Sequence, residues 1–229
     1  MIHSKDRSGW FGASDTARIM GSWETDTFEK FWLEKLGLYH SDFENLSMKT
    51  GTYYEGKILD FLEVRRRDRQ IRIPSLRLRV NLDGEDKIIH EVKTYKRELF
   101  SVTRPYWMQA QVEMYAAKKP LEITAYRLLK DDFQNWMLPI DQNRLSRYPI
   151  SYDKQFVEER YLPRLRYLAE CLKKGVWPRE SNIYRGPYQE RQRRLAVPKG
   201  ERARYGPEIR AGDGEKGVPD HHQAVSQEA

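Results

Sequence analysis

Between Leu76 and Asp83 the chain has a hydrophobic period of two. Leu76, Leu78, Val80 and Leu82 alternate with Arg77, Arg79, Asn81 and Asp83. An extended segment with this pattern has one apolar face and one charged face. It needs a neighbouring strand for its backbone and a covering layer for its side chains. Before and after it, helical patterns predominate. Thr16–Met20 follows Ser14 and Asp15 and stops at Gly21, as a capped short helix does. Residues 27–36 place Phe28, Phe31, Trp32 and Leu36 at helical spacing, with Gly37 just beyond. A third helix is predicted from Met48 to about Arg67, with Tyr54, Ile58, Phe61 and Leu62 as its apolar set.

After Asp83, the turn signal Gly84-Glu85-Asp86 leads into a strand over 87–95. Pro105 opens a helix over 104–117. Strands are predicted over 121–129 and 133–140. A long helix over 152–174 carries Pro163 as a kink and ends at Gly175. The order predicts an α/β fold: a mixed central sheet flanked by helices, with an N-terminal helical region.

Composition limits the rest. Fourteen Tyr, eight Phe and six Trp in 229 residues supply enough large side chains for one filled core. The net charge of +7 suits a polyanionic partner such as nucleic acid, although solubility explains it as well. A single cysteine, Cys171, excludes a disulfide within the chain. No signal-peptide pattern and no apolar run of membrane length is present, so a cytoplasmic protein is expected. From about residue 179 Arg, Gln, Gly and Pro dominate. The expected division is a domain over 1–178 and a basic, flexible tail over 179–229. The Arg191-Gln192-Arg193-Arg194 cluster suits either a DNA backbone or plain solvation.

The chemistry lies in the strand pair. Glu91 and Lys93 are two apart and share a face, while Val92 turns to the other side. If Asp83 joins them, two carboxylates and an ammonium meet. Oxygen donors of this kind suit Mg²⁺, with Mn²⁺ as a substitute, and the Val92 carbonyl is a natural further ligand. The same residues also make an ordinary charged hairpin. A tight turn at Gly84-Glu85-Asp86 would set Asp83 opposite Lys87 and leave Glu91 about 13 Å along the strand. Convergence then requires a wider loop, a bulge or strong twist. Glu55 on the third helix is a third candidate carboxylate. On the 104–117 helix, Gln111 and Tyr115 stand one turn apart, and a Gln on so aromatic a helix needs a polar partner. His90 reads as a core or flanking residue.

Taken in order, these segments resemble the PD-(D/E)xK nuclease superfamily. Within it they resemble the lambda-exonuclease-like and YqaJ-like viral recombinases, the phage alkaline exonucleases. The matching stretches are Gly12 to Gly21, Phe31 to Gly37, Gly51 with Glu55, Leu82-Asp83-Gly84, Glu91-Val92-Lys93-Thr94, and Tyr106 with Gln109 and Gln111. The resemblance implies a restriction-endonuclease-like core and a Mg²⁺-dependent DNA exonuclease. Such an enzyme would run 5′→3′ on linear double-stranded DNA and leave 3′ single strands for phage-type recombination. Asp83, Glu91, the Val92 carbonyl and Glu55 would hold the metal, and Lys93 would position the attacking water. Gln109 or Gln111 would orient substrate or water, with Tyr115 in support. Arg7 and Ser14, seven positions apart, would hold the 5′-phosphate. Ser14 reads equally as a helix N-cap. The resemblance also implies a homo-oligomer, a trimeric ring, a single-strand annealing protein as partner, and a bacterial host cytoplasm. An endonuclease or host-defence nuclease of the same superfamily is the alternative, and a catalytically silent DNA-binding module is a second one.

Overall fold

The computed structural model describes residues 7–40 and 45–183. Residues 184–229, with Arg191 to Arg194 and most of the expected tail, lie outside the described residues. Its helices are α1 (Thr16–Met20), α2 (Asp26–Lys35), α3 (Leu46–Phe61), α4 (Arg104–Ala117), α5 (Lys130–Gln134) and α6 (Leu162–Lys174). Its strands are β1 (Arg66–Ile73), β2 (Leu78–Glu85), β3 (Ile89–Tyr95), β4 (Leu121–Arg127) and β5 (Leu145–Ile150). They form one sheet in the order β1-β2-β3-β4-β5. β3 and β4 pair in parallel, and every other neighbouring pair is antiparallel. The parallel pair needs a crossover, and α4 provides it.

Both faces of the sheet are covered. Ile89 and Ile123 belong to the larger core, with Trp32, Val112 and Leu165 from the helices. Val92 and Tyr126 point the other way, into a smaller core with Tyr54, Ile58 and Leu59 of α3. The alternation along β3 thus splits its side chains between two apolar layers, and α3 and α4 lie on opposite sides of the strand that carries Glu91.

Three sequence expectations are corrected. The third helix stops at Phe61, and the chain turns through Glu63 in a left-handed conformation (φ 57°) into β1. That strand was not foreseen, because Arg66 to Arg72 carries too many charges for an alternating pattern. As an edge strand it exposes those charges and is held by β2 through its backbone. The segment 133–140 is not a strand. Asp132 accepts a hydrogen bond from the Leu129 N–H at 2.6 Å and starts α5, and the sheet resumes only at Leu145. Pro149 is tolerated there because β5 is an edge. Lastly, Ser14 caps no helix. It sits in a 3₁₀ turn, Ala13–Asp15, ahead of α1.

Pro163 has its own accommodation. The helix begins at residue 154, widens to a π-helix over Phe156–Tyr161 and continues as α6, with Pro163 in the first turn. The widened turn carries the chain past a residue that lacks an N–H.

Candidate active site

The geometry of the site begins with the β2–β3 turn. Gly84 and Glu85 are not turn residues. Gly84 pairs with His90 and Glu85 with Ile89, and the reversal is made by Asp86-Lys87-Ile88. The turn is closed by a hydrogen bond from the Ile88 N–H to Asp86 Oδ1 at 2.9 Å. Gly84 is required by packing. A Cβ there would lie 2.7 Å from Leu59 Cδ2 and 2.9 Å from Val64 Cγ1. This register sets Asp83 across from Glu91, one position beyond the last backbone pair, so the 13 Å offset expected from a tight turn does not arise.

Asp83 is also where both ladders of β2 break. The β1 pairing joins Arg67 to Gly84 and Arg69 to Leu82 but skips Asp83. The skipped residue on β1, Asp68, has φ 52°. On the other edge β3 diverges, and Phe11 takes over farther along, its N–H bonding Arg77 O and its carbonyl accepting from Arg79 N–H, both at 2.8 Å. At the break, Asp83 Oδ2 accepts the Val92 N–H at 2.9 Å. The carboxylate thereby replaces a ladder carbonyl and is aimed at β3, as chain irregularities beside sites often aim a side chain.

Glu91 projects toward α4. Its Oε1 accepts from Lys93 Nζ at 2.5 Å and from Gln109 Nε2 at 2.6 Å. Gln109 Nε2 also donates to Glu113 Oε1 at 2.8 Å. Glu91 and Glu113 are 2% and 0% exposed. Their second oxygens, Glu91 Oε2 and Glu113 Oε2, are buried and accept no hydrogen bond among the described residues. Glu113 was missed in the sequence, although its place one turn after Gln109 was a usable signal.

These carboxylates oppose one another's ionisation. Desolvation first, then the charges of Glu91 and Glu55, push the Asp83 carboxyl well above its ordinary range. Desolvation, then Glu91, does the same to Glu113. Burial, then Glu91 and Asp68, raise Glu55 to about 7. Lys93 opposes each of these shifts. Burial disfavours its own ammonium, but Glu91 and then Asp83 outweigh that and hold the proton more firmly than usual. The single lysine does not offset the repulsion among these acids, so without a cation the cluster favours protonated carboxyls. Among the described residues no three ligating side chains are gathered as a finished metal cage. The unpartnered oxygens, together with the mutual repulsion, nevertheless fit a hard divalent cation that keeps some of its waters.

No family model matches the chain, and no curated protein matches it. Among solved structures it is similar to an alkaline exonuclease (LHK-Exo) from Laribacter hongkongensis. The two are 16% identical, with a TM-score of 0.52, over 82% of this chain and 95% of that one. The protein SSO0001 is similar at 14% identity and a TM-score of 0.41, over 80% of this chain and 87% of that one. The chain has a restriction-endonuclease-like α/β fold.

Within the restriction-endonuclease-like fold the remaining expected residues separate. Glu55 lies on α3, half-buried and within electrostatic reach of Glu91. Gln111 is corrected to a structural role. It is fully buried, donates to Ser151 O at 2.9 Å and accepts from the Asp153 N–H at 2.7 Å, fastening the lead into the 154–174 helix. Tyr115, half-buried near the far end of α4, lies under Lys118 Nζ, 4.2 Å from its ring centre. Ser14 and Arg7 are exposed, and no hydrogen bond joins them among the described residues. The neighbouring Asp15 is buried and paired with Lys35 at 2.7 Å. His90 is buried, with Nε2 3.2 Å from Asp86. Among the described residues no helix is long and apolar enough to cross a membrane.

Proposed function

We propose that this protein is a metal-dependent deoxyribonuclease, and within that class a 5′→3′ exonuclease on linear double-stranded DNA. The observation that carries the proposal is the meeting of Asp83, Glu91 and Lys93 around buried, unpartnered carboxylate oxygens. Asp83, Glu91, the Val92 carbonyl and Glu55 would hold Mg²⁺, or Mn²⁺ in its place. A cation bound there supplies charge for the scissile phosphate and makes water a better nucleophile at neutral pH.

The chain's own groups do the rest. Lys93 keeps its proton, so it serves as a donor that orients the attacking water or a phosphate oxygen and offsets developing negative charge. Glu91 restrains the Lys93 ammonium by its hydrogen bond. Asp83 is fixed by the Val92 N–H, so it meets a ligand without reorganising. Exposed Arg7 and Ser14 are assigned to the 5′-phosphate of a DNA end. The products would be 3′ single strands for phage-type recombination, passed to a single-strand annealing protein. A homotrimer and a bacterial host cytoplasm complete the proposal.

The test uses linear 5′-phosphorylated duplex, nicked circles and closed circles, each with Mg²⁺ or with EDTA. Digestion of linear DNA alone, abolished by EDTA, is expected. Cleavage of closed circles would make the protein an endonuclease. DNA binding without cleavage, unchanged by Lys93→Ala, would leave only a binding module. Arg7→Ala is expected to weaken the preference for a 5′-phosphate, and an unchanged preference removes Arg7 from that role.

A further inference from the structure

Glu113 is a fully buried acid on α4, a helix whose Met108, Val112 and Met114 belong to the larger core. Burying a carboxylate in such surroundings is costly unless it is partnered. Its hydrogen-bond partner among the described residues is a single amide, Gln109 Nε2 at 2.8 Å to Oε1, and Oε2 accepts nothing there. A structural role alone would be met better by an apolar side chain of the same size.

We infer that Glu113 is a positioning residue of the acidic site and acts through Gln109. The Gln109 amide has two hydrogens. One goes to Glu91 Oε1 at 2.6 Å and the other to Glu113 Oε1. With Glu91 alone, the second hydrogen would be free and the amide could swing about the first. Glu113 takes the second and fixes the plane. The flipped amide is disfavoured, since its oxygen would then face Glu91 Oε1, an oxygen that already accepts from Lys93 Nζ. Gln109 Oε1 is left as an oriented acceptor with no donor among the described residues, one side chain away from Glu91 and Lys93. Its complement is a donor held at the site, a water or a hydroxyl of the bound substrate. Resting on the nuclease function proposed above, that donor is the attacking water.

Two arms test the inference. The first needs no activity. Side-chain amide resonances of Gln109, assigned by their loss in Gln109→Met, are followed by NMR in the full chain. Both protons are expected downfield in the wild type, and one is expected to return to the solvent-exposed position in Glu113→Met. Unchanged resonances in Glu113→Met overturn the inference, whether or not the protein cleaves DNA. Should that variant fail to fold, Gln109 resonances already at the solvent-exposed position in the wild type would overturn it equally.

The second arm measures cleavage of linear duplex. Glu113→Met is expected to lower kcat about ten- to a hundredfold at unchanged KM. Glu113→Gln, which keeps an acceptor, is expected to restore most of it. The double variant with Gln109→Ala should be no worse than Gln109→Ala alone. If the Gln and Met variants lose equally and Mn²⁺ binding weakens tenfold in calorimetry, Glu113 is itself a cation ligand and the positioning role falls.

Discussion

Glu85 and Glu91 are both buried glutamates of the β2–β3 hairpin, and they meet opposite fates. Glu85 is 1% exposed and pairs with Arg66 at 2.8 Å, Arg69 at 2.9 Å and Lys119 at 3.2 Å. Burial disfavours its charge, but the hydrogen bonds of Lys119 and Arg69 outweigh that and hold its carboxyl below the ordinary range. Glu91 has one lysine and one amide, and its acidic neighbours are driven the other way. A buried carboxylate surrounded by cations is complete without a ligand. One crowded by other carboxylates is relieved by a proton or by a cation. On the proposed function, the contrast separates structural from functional acid groups more cleanly than burial does, since burial is nearly the same in both.

The largest test of this contrast is on activity. Asp83→Asn and Lys93→Ala are each expected to lower DNA cleavage about 10²–10³-fold, measured as single-turnover rates on linear duplex. Glu85→Gln, assayed below its melting temperature, should leave the rate per folded molecule nearly unchanged. Equal losses at Glu85 and Asp83 would erase the distinction. Cation binding should divide the two regions in the same way. Adding Mg²⁺ or Mn²⁺ at about a hundred times Kd should stabilise the wild type and Glu85→Gln by about 2.7 kcal/mol, read as a rise in Tm. Asp83→Asn should show little rise with cation. In EDTA it should be at least as stable as the wild type, because a buried acid whose ionisation the site opposes has gone.

Much of the restriction-endonuclease-like fold was legible in the sequence, and the reason is periodicity. β2 shows it most plainly, and α4 was bounded to the residue by Pro105 and the end of its apolar pattern. β1 was invisible because an edge strand needs no apolar face, and Arg66 to Arg72 show none. The candidate site was half legible. Asp83, Glu91 and Lys93 stood out by type and spacing, but their convergence depended on which residues make the turn. Gly84 reads as a turn residue by composition. Its actual reason is the 2.7 Å approach of Leu59, a tertiary contact that local pattern does not encode. Gln111 was given a site role and Glu113 was passed over for a related cause. Both are buried polar residues on one helix, and only the partner decides which serves the backbone and which the site.

Stability ranks next. Glu85→Gln should cost about 2 kcal/mol, the worth of hydrogen bonds to a charged group, with the loss limited because Arg66 and Arg69 can be rehydrated at the edge. The sign with pH follows from the lowered carboxyl. Its contribution is fully present above the ordinary glutamate value of about 4.3 and fades as pH falls through the lower folded value. Chemical denaturation from pH 7 to pH 3 should therefore show the variant and wild type converging at the acid end. A constant difference at all pH values would mean that Glu85 stabilises by packing and not by charge.

The smallest expected effect concerns a second satisfied carboxylate, Asp132. It is fully buried, accepts from Arg144 at 2.6 Å, from the Leu129 N–H at 2.6 Å and from the Tyr54 hydroxyl at 2.7 Å. Burial opposes its charge, and Arg144 with the Leu129 N–H outweighs the burial. Tyr54→Phe removes one donor of the three and leaves the ring in the smaller core. Because the other two remain, the loss should be about 1 kcal/mol, measured by urea denaturation with unchanged slope. If carboxylates of this kind were held by a single decisive partner, the cost would approach that of breaking the Arg144 pair, about 3–5 kcal/mol for a buried ion left alone. A small value for Tyr54→Phe places Asp132 with Glu85, among acids that the fold satisfies more than once, and leaves the Asp83–Glu91–Glu113 cluster as the region where the described protein groups alone do not suffice.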